Sequence, residues 1–237
     1  MRVLLVASLL AGLSATASAD VILSSANLNE ALKKMERLRQ SLPVATGVRA
    51  AELRLQLAVE ADALTTLIND EVAEHGSQEK ALIDLGLRRT QELGVAIAYD
   101  AGKKKFFYDG AGFREYLAAQ PQGPHAAGAH FKLIELDFFR GSGTDAAVLA
   151  AAASRKHQFV RQFPGYPNTP EVHLMLAVDY RDLYRHHKAA GQAGPTAKYR
   201  DLVLRQLRLL MRSFPDAEQA EIARRMLQRF EDDLRRP

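Results

Sequence analysis

Short proline-containing turns recur along the C-terminal half of this 237-residue chain, and each precedes a helical pattern. Small or apolar side chains lie five and eight positions after each proline, and successive prolines are 46 and 48 residues apart. Self-similarity at this period predicts stacked helix–turn–helix units, although an alanine-rich bundle could reuse one turn by chance. Leu42-Pro43 fits the same pattern, because Val48 and Ala51 lie five and eight positions after Pro43. The three turns are Gln120-Pro121-Gln122-Gly123, Tyr166-Pro167-Asn168-Thr169 and Phe214-Pro215-Asp216-Ala217.

Apolar residues follow a helical period over most of the chain after residue 24. Thr169, Pro170 and Glu171 form a typical helix start, with a capping hydroxyl, proline in the first turn and an acid near the positive helix end. A glycine- and proline-containing break is expected at residues 191–195. The predicted helices are 27–41, 46–74, 77–94 (with Ser77 as cap), 113–120, 124–140, 144–163, 169–189, 196–213 and 216–234.

One stretch departs from the helical period. Residues 95–99 and 105–108 are short β-prone runs, and the residues between them predict a β-hairpin turn with Gly102 at positive φ. The expected fold is therefore all-α, with antiparallel helix pairs stacked into a curved array (an α-solenoid) and a small inserted hairpin. The expected organisation is a signal peptide at 1–19, a helical region at 20–94, the hairpin at 95–109 and a helical repeat region at 110–237.

The first residues are typical of a secretory signal peptide. Arg2 provides the positive charge, Val3 to Leu13 form an apolar segment, and Ala17-Ser18-Ala19 precedes a cleavage point before Asp20. An N-terminal helix retained in the fold is the alternative. Because there is no cysteine, a lipid anchor is not expected. We therefore expect an exported, periplasmic protein, with an extracellular location less favoured.

Composition excludes several classes of site. Zero cysteine excludes a thiolate nucleophile, a disulfide framework and a cysteine-ligated zinc or iron–sulfur centre. The net charge of +4 is too small to imply nucleic-acid binding, but residues 154–237 carry 16 basic against 10 acidic side chains. This excess is compatible with an acidic partner or an anionic membrane surface, and equally with solvated arginine faces on amphipathic helices.

Motifs for catalysis, cofactors and metals are not found in the sequence. There is no zincin, P-loop, dinucleotide-binding or serine-elbow pattern. His173 and His187 share a helix face but lie ~21 Å apart, too far for one metal. We expect no cofactor, and packed or surface histidines.

The hairpin is the candidate partner-binding element. It combines three consecutive lysines with aromatic residues, which suits acidic peptides, anionic lipid head groups or glycans. Alternatively, the hairpin packs one aromatic face on the helices and leaves the lysines in water. The candidate residues are Lys103, Lys104, Lys105, Phe106, Phe107 and Tyr108.

The segment from Phe214 to Ala223, FPDAEQAEIA, resembles the tetratricopeptide-like repeat proteins of the bacterial envelope, a group that includes outer-membrane assembly lipoproteins and cell-division coordinators. Tyr166-Pro167-Asn168-Thr169 matches the same turn, but Val172 and Met175 replace the two alanines. The units exceed the ~34-residue repeat, and the hairpin is foreign to it. The resemblance implies an α-solenoid that binds proteins, without specifying a partner.

The expected function is a periplasmic scaffold or adaptor for protein or peptide partners in envelope biogenesis. Two alternatives stay open. One is an enzyme, or an enzyme accessory, acting on peptidoglycan or another envelope polymer. The other is a carrier of a small apolar ligand held between helices.

Overall fold

A computed structural model describes residues 24–75, 80–141 and 145–235. The predicted signal peptide and the predicted cap at Ser77 lie outside these residues. The expectation of an all-α protein with one small hairpin is confirmed. The chain forms two compact units, one up to Ala129 and the other from His130 onward. Among the described residues, every helix is too short or too polar to cross a bilayer.

The first unit is built around its longest helix, α2 (Gly47–His75), which packs against α1 (Ser25–Ser41), α4 (Ala111–Ala119) and the hairpin. Helix α1 also contacts α3 (Lys80–Glu92). Large buried side chains on α1, α2 and α4 form the interior, because each helix places apolar residues three and four positions apart. They include Leu28, Met35, Leu64, Ile68, Phe113 and Tyr116.

Helix α4 approaches α2 closely at Gly112. A Cβ atom on Gly112 would lie 2.8 Å from the Cβ of Ala58 and 2.9 Å from the carbonyl oxygen of Arg54. The Gly112 N–H donates to the Tyr108 hydroxyl at 2.8 Å, which ties α4 to the hairpin. Glycine is therefore required here by the small space between two helices.

The predicted hairpin is present as β1 (Ile97–Asp100) and β2 (Lys105–Tyr108), which pair antiparallel with Tyr99 opposite Phe106. The turn prediction was wrong in one respect, because Lys104 has the positive φ of 54° and Gly102 does not. The four-residue loop begins with a turn in which the Lys103 N–H donates to Asp100. Its last residue then adopts the left-handed conformation that leads the chain into β2.

The second unit contains four helices after the C-terminal part of α5 (Ala126–Arg140). They are α6 (Ala146–Gln162), α7 (Thr169–Ala189), α8 (Ala193–Ser213) and α9 (Glu218–Arg235). Each packs against the next, and α7 also contacts α9. Helix α8 begins three residues before the prediction, because proline in a first helical turn leaves no hydrogen bond unmade.

Three turns share one backbone geometry. Gln120, Phe163 and Phe214 end their helices with φ between −127° and −138° and ψ between 56° and 65°. Two backbone hydrogen bonds recur in each turn. If the residue that ends the helix is numbered i, the N–H of residue i+3 donates to the carbonyl of residue i, and the N–H of residue i+6 donates to the carbonyl of residue i+3. The middle turn therefore begins at Phe163-Pro164, three residues before the predicted Tyr166-Pro167. The proline spacings become 43 and 51 residues.

The same positions are buried after each turn. Six residues after the helix end lie Ala126, Thr169 and Ala220, and nine after it lie Ala129, Val172 and Ala223. Thr169 does not cap α7 as predicted, because its hydroxyl donates to the Phe163 carbonyl at 2.9 Å. Leu42 does not belong to this set, since its backbone is helical and Val48 is 54% exposed.

Candidate functional site

The hairpin residues singled out from the sequence divide between the interior and the surface. Phe107 and Tyr108 are buried, Phe106 is half-buried, and Lys104 and Lys105 are exposed. The Lys103 ammonium lies 3.7 Å from the Asp100 carboxylate within the turn. The exposed aromatic surface comes instead from Tyr99, which is 51% exposed and has its ring 4.9 Å from that of Phe106.

A buried carboxyl group in the second unit has a raised pKa. Glu171, in the first turn of α7, is almost fully buried. Burial, followed by the charge of nearby Glu135, raises the pKa of Glu171 to about 7, although Asn168 and Lys132 act in the opposite direction. Lys132 and Glu135, both on α5, are largely buried, and Lys132 Nζ lies 2.7 Å from Glu135 Oε2. Glu171 can therefore take up or release a proton near neutral pH.

Asn168 sits beside the Glu171 carboxyl. Its Nδ2 lies 3.5 Å from Glu171 Oε2, and its Oδ1 is buried without a hydrogen-bond partner among the described residues. The oxygen and nitrogen of a side-chain amide are assigned from their hydrogen bonds. As placed, the Asn168 amide donates to the Glu171 carboxyl oxygen, which favours the charged form and lowers its pKa. The raised pKa of Glu171 therefore comes from burial and from Glu135, and it persists in spite of this hydrogen bond.

Tyr166 belongs to a group of aromatic rings near this cluster. The Tyr166 ring lies 5.9 Å from that of Phe131 and 5.8 Å from that of Phe159. Burial raises the pKa of the Tyr166 hydroxyl, with Lys132 and Glu135 contributing in opposite directions. The cluster therefore combines a carboxyl that titrates near pH 7, a second carboxylate paired with lysine, and a phenol that stays protonated.

Two further polar pairs join helices in the interior of the second unit. Lys156 on α6 and Asp179 on α7 form a buried ion pair. Burial raises the pKa of Asp179, whereas Lys156 lowers it. Gln206 on α8 lies 2.5 Å from His173 Nδ1, and burial lowers the pKa of that histidine. These pairs link α7 to both neighbouring helices, and they are compatible with a structural role.

Histidines do not assemble a metal centre in the described residues, where no group of three or more His, Asp or Glu side chains could hold an ion. His187 stacks on Tyr199 with the rings 5.2 Å apart, and its Nδ1 lies 2.5 Å from Gln192. His173 packs against Phe214. Both are packing residues at the two ends of the α7–α8 pair.

Sequence reasoning identified Glu171 only as an acid at a helix start. Its burial and its proximity to Glu135, 36 residues earlier, depend on how α7 packs on α5. In the sequence, only Tyr166 and Asn168 in the preceding turn indicate that polar groups could gather near Glu171. No family model and no curated protein matches the chain.

Proposed function

We propose that this chain is an exported helical-repeat protein that binds other proteins, acting as a scaffold or adaptor in the cell envelope. The observation that carries the proposal is the set of three turns with one hydrogen-bonding geometry, each followed by buried residues at the same two offsets. Units of this kind stack into arrays whose extended faces bind proteins or peptides. The α-solenoid arrangement and the periplasmic location are parts of this proposal.

Helix α7 supplies the face on which we place the partner. Much of its surface is covered, because its first turns pack on α5, Asp179 contacts α6, His173 contacts α8 and Tyr184 packs on Phe230 of α9. A further strip of its surface carries partly exposed residues at spacings of three and four, which share one helix face. They are the half-buried Val178 and Arg181 and the exposed Arg185.

This α7 face, defined by these three residues, combines apolar and cationic groups. Asp182 holds its two arginines in place, with carboxylate–guanidinium distances of 3.4 Å to Arg181 and 4.0 Å to Arg185. Interfaces favour arginine together with apolar contact area. The basic excess of residues 154–237 adds attraction for an acidic segment.

Affinity capture with matched variants tests the proposal. The full chain would be exposed to envelope extract under mild crosslinking, beside Val178→Glu and a control, Arg205→Glu, at an exposed position of α8. The proposal predicts a defined partner that the control retains and that Val178→Glu loses. Equal capture by both variants, or capture of no protein, would contradict it.

An enzyme acting on an envelope polymer is the second candidate, and Glu171 is the observation that favours it. Its pKa of about 7 matches the requirement for a general acid or base at neutral pH. Incubating the purified protein with peptidoglycan fragments, beside Glu171→Gln and Glu135→Gln, would test this candidate. Turnover that both substitutions abolish would establish the enzyme, whereas no turnover by the unaltered protein would exclude this substrate.

A further inference from the structure

The outer edge of β2 is closed by a side chain of α2. Asn69 Nδ2 donates to the Phe106 carbonyl at 2.8 Å, and the Phe106 N–H donates to Asn69 Oδ1 at 2.7 Å. Both main-chain groups of Phe106 therefore point away from β1. In an antiparallel pair, a residue with this orientation belongs to a non-hydrogen-bonded pair.

This orientation determines which groups β1 presents on its own outer edge. Tyr99 is opposite Phe106 and Ile97 is opposite Tyr108, so the N–H and C=O groups of Ile97 and Tyr99 also point away from the hairpin. The bond from the Asp109 N–H to the Ala96 carbonyl supports this alternation, because it places Ala96 on the inward set. The outer edge of β1 thus offers two donors and two acceptors in extended backbone.

A cavity lies alongside the start of this edge. Its volume is about 350 Å³, and α3, the following turn and β1 form its walls. Leu87, Val95 and Ile97 supply apolar walls, and Arg88 is exposed without an ion-pair partner in the described part of the chain. A side chain of moderate size and a carboxylate would both be accommodated there.

We propose that an extended, acidic peptide segment of a partner protein binds as a third strand along β1. Its main chain would bond to Ile97 and Tyr99, one apolar side chain would enter the cavity, and a carboxylate would pair with Arg88. Strand addition of this kind draws affinity from main-chain hydrogen bonds and specificity from alternate side chains. The site belongs to the first unit and does not depend on the α7 face.

Charge favours this occupant over a second copy of the chain. Antiparallel pairing of two β1 edges would bring the turn of one hairpin, where Lys103 and Lys104 outnumber Asp100, near Arg88 of the other copy. Like charges at such an edge oppose pairing, and lysine near an edge strand is a common protection against self-association. The same positive charges would attract an acidic peptide.

Amide hydrogen exchange of the full chain, followed by NMR, is the first test. In the free protein the amides of Ile97 and Tyr99 should exchange fast, whereas those of Ala98 and Asp100 should be protected. Adding an eight-residue peptide that alternates valine and threonine and ends in aspartate should protect Ile97 and Tyr99. A matched peptide in which alternate amides are N-methylated lacks the main-chain donors and should not protect Ile97 and Tyr99. Protection of both amides in the free monomer would overturn the proposal.

Substitutions separate main-chain from side-chain contributions. Tyr99→Pro removes an outward N–H and should weaken peptide binding about tenfold, whereas Tyr99→Thr, which keeps the N–H, should change it less than about threefold. Arg88→Gln should weaken binding about fivefold and Arg88→Lys much less.

Binding would be measured with a library of such peptides that varies the apolar residue. No binding by any member at 1 mM (about −4 kcal/mol), or equal binding by the N-methylated peptides, would contradict strand addition. Concentration-dependent protection of Ile97 and Tyr99 without peptide would assign the edge to a second copy instead. The two proposals can fail separately. Val178→Glu should lose the captured partner and still bind the peptide, whereas Tyr99→Pro should weaken peptide binding and still capture the partner.

Discussion

Lys156 Nζ on α6 lies 2.6 Å from Asp179 Oδ2 on α7, and the two side chains are only 2% and 5% exposed. The ammonium also lies 5.4 Å from the centre of the Phe138 ring. A buried pair of this kind offsets its desolvation cost only while both charges are present. It therefore links α6 to α7 in the interior of the second unit.

Removing one member of this pair should destabilise the protein strongly. Asp179→Ala leaves a buried ammonium and should cost about 3–5 kcal/mol in the free energy of unfolding, whereas the double variant Lys156→Met/Asp179→Leu should cost far less. Urea denaturation followed by circular dichroism would measure both. Equal losses for the single and double variants would show that the charges do not interact.

Glu171 should make stability depend on pH. Its pKa rises from 4.5 to about 7 in the folded protein, so folding is favoured below pH 4.5 and this contribution is lost as pH rises through 7. Relative to the unaltered protein, Glu171→Gln should gain on the order of 2 kcal/mol between pH 5 and pH 8. Urea denaturation of both proteins at pH 5 and pH 8 would measure this gain. The same difference in the free energy of unfolding at both pH values would exclude a raised pKa of Glu171.

A side chain at Gly112 should destabilise the first unit. Gly112→Ala places a Cβ 2.8 Å from that of Ala58, so α4 must move away from α2 at a cost of about 1–3 kcal/mol. Gly194→Ala is the control, because its Cβ meets nothing within 4 Å in the first turn of α8. Thermal unfolding should show a loss for the first variant and a small gain for the second.

Lys104 occupies the left-handed position of the hairpin turn, with φ of 54°. Lys104→Gly should therefore stabilise the hairpin by about 0.5–1 kcal/mol, since glycine adopts this conformation without strain. Slower amide exchange of Phe107 in the variant would confirm it. Unchanged or faster exchange would indicate that the lysine side chain contributes contacts that outweigh the strain.

Local features of the fold could be predicted from sequence, and long-range contacts could not. The helices follow the apolar period, and the predicted range 169–189 is the observed range of α7. The middle turn was misplaced by three residues because Tyr166-Pro167-Asn168 imitates the pattern that Phe163-Pro164 carries. The left-handed residue was misplaced because Gly102 has the stronger propensity, whereas the loop geometry selects its last position.

The candidate sites depend on packing between distant segments. Asn69 and Phe106 are 37 residues apart, and only the docking of the hairpin on α2 shows that one strand edge is closed and the other open. Glu171 is an ordinary helix-start acid in the sequence. Its raised pKa arises from burial and from Glu135 on another helix.

Site-specific photocrosslinking tests the central proposal, a protein partner on the α7 face, most directly. Benzoylphenylalanine would replace Val178 in one variant and Arg205, at an exposed position of α8, in another. The account predicts one discrete crosslinked species from position 178 in envelope extract, lost when Arg185→Glu is added, and none from position 205. Crosslinks of equal yield and identity from both positions, or none from position 178, would contradict it.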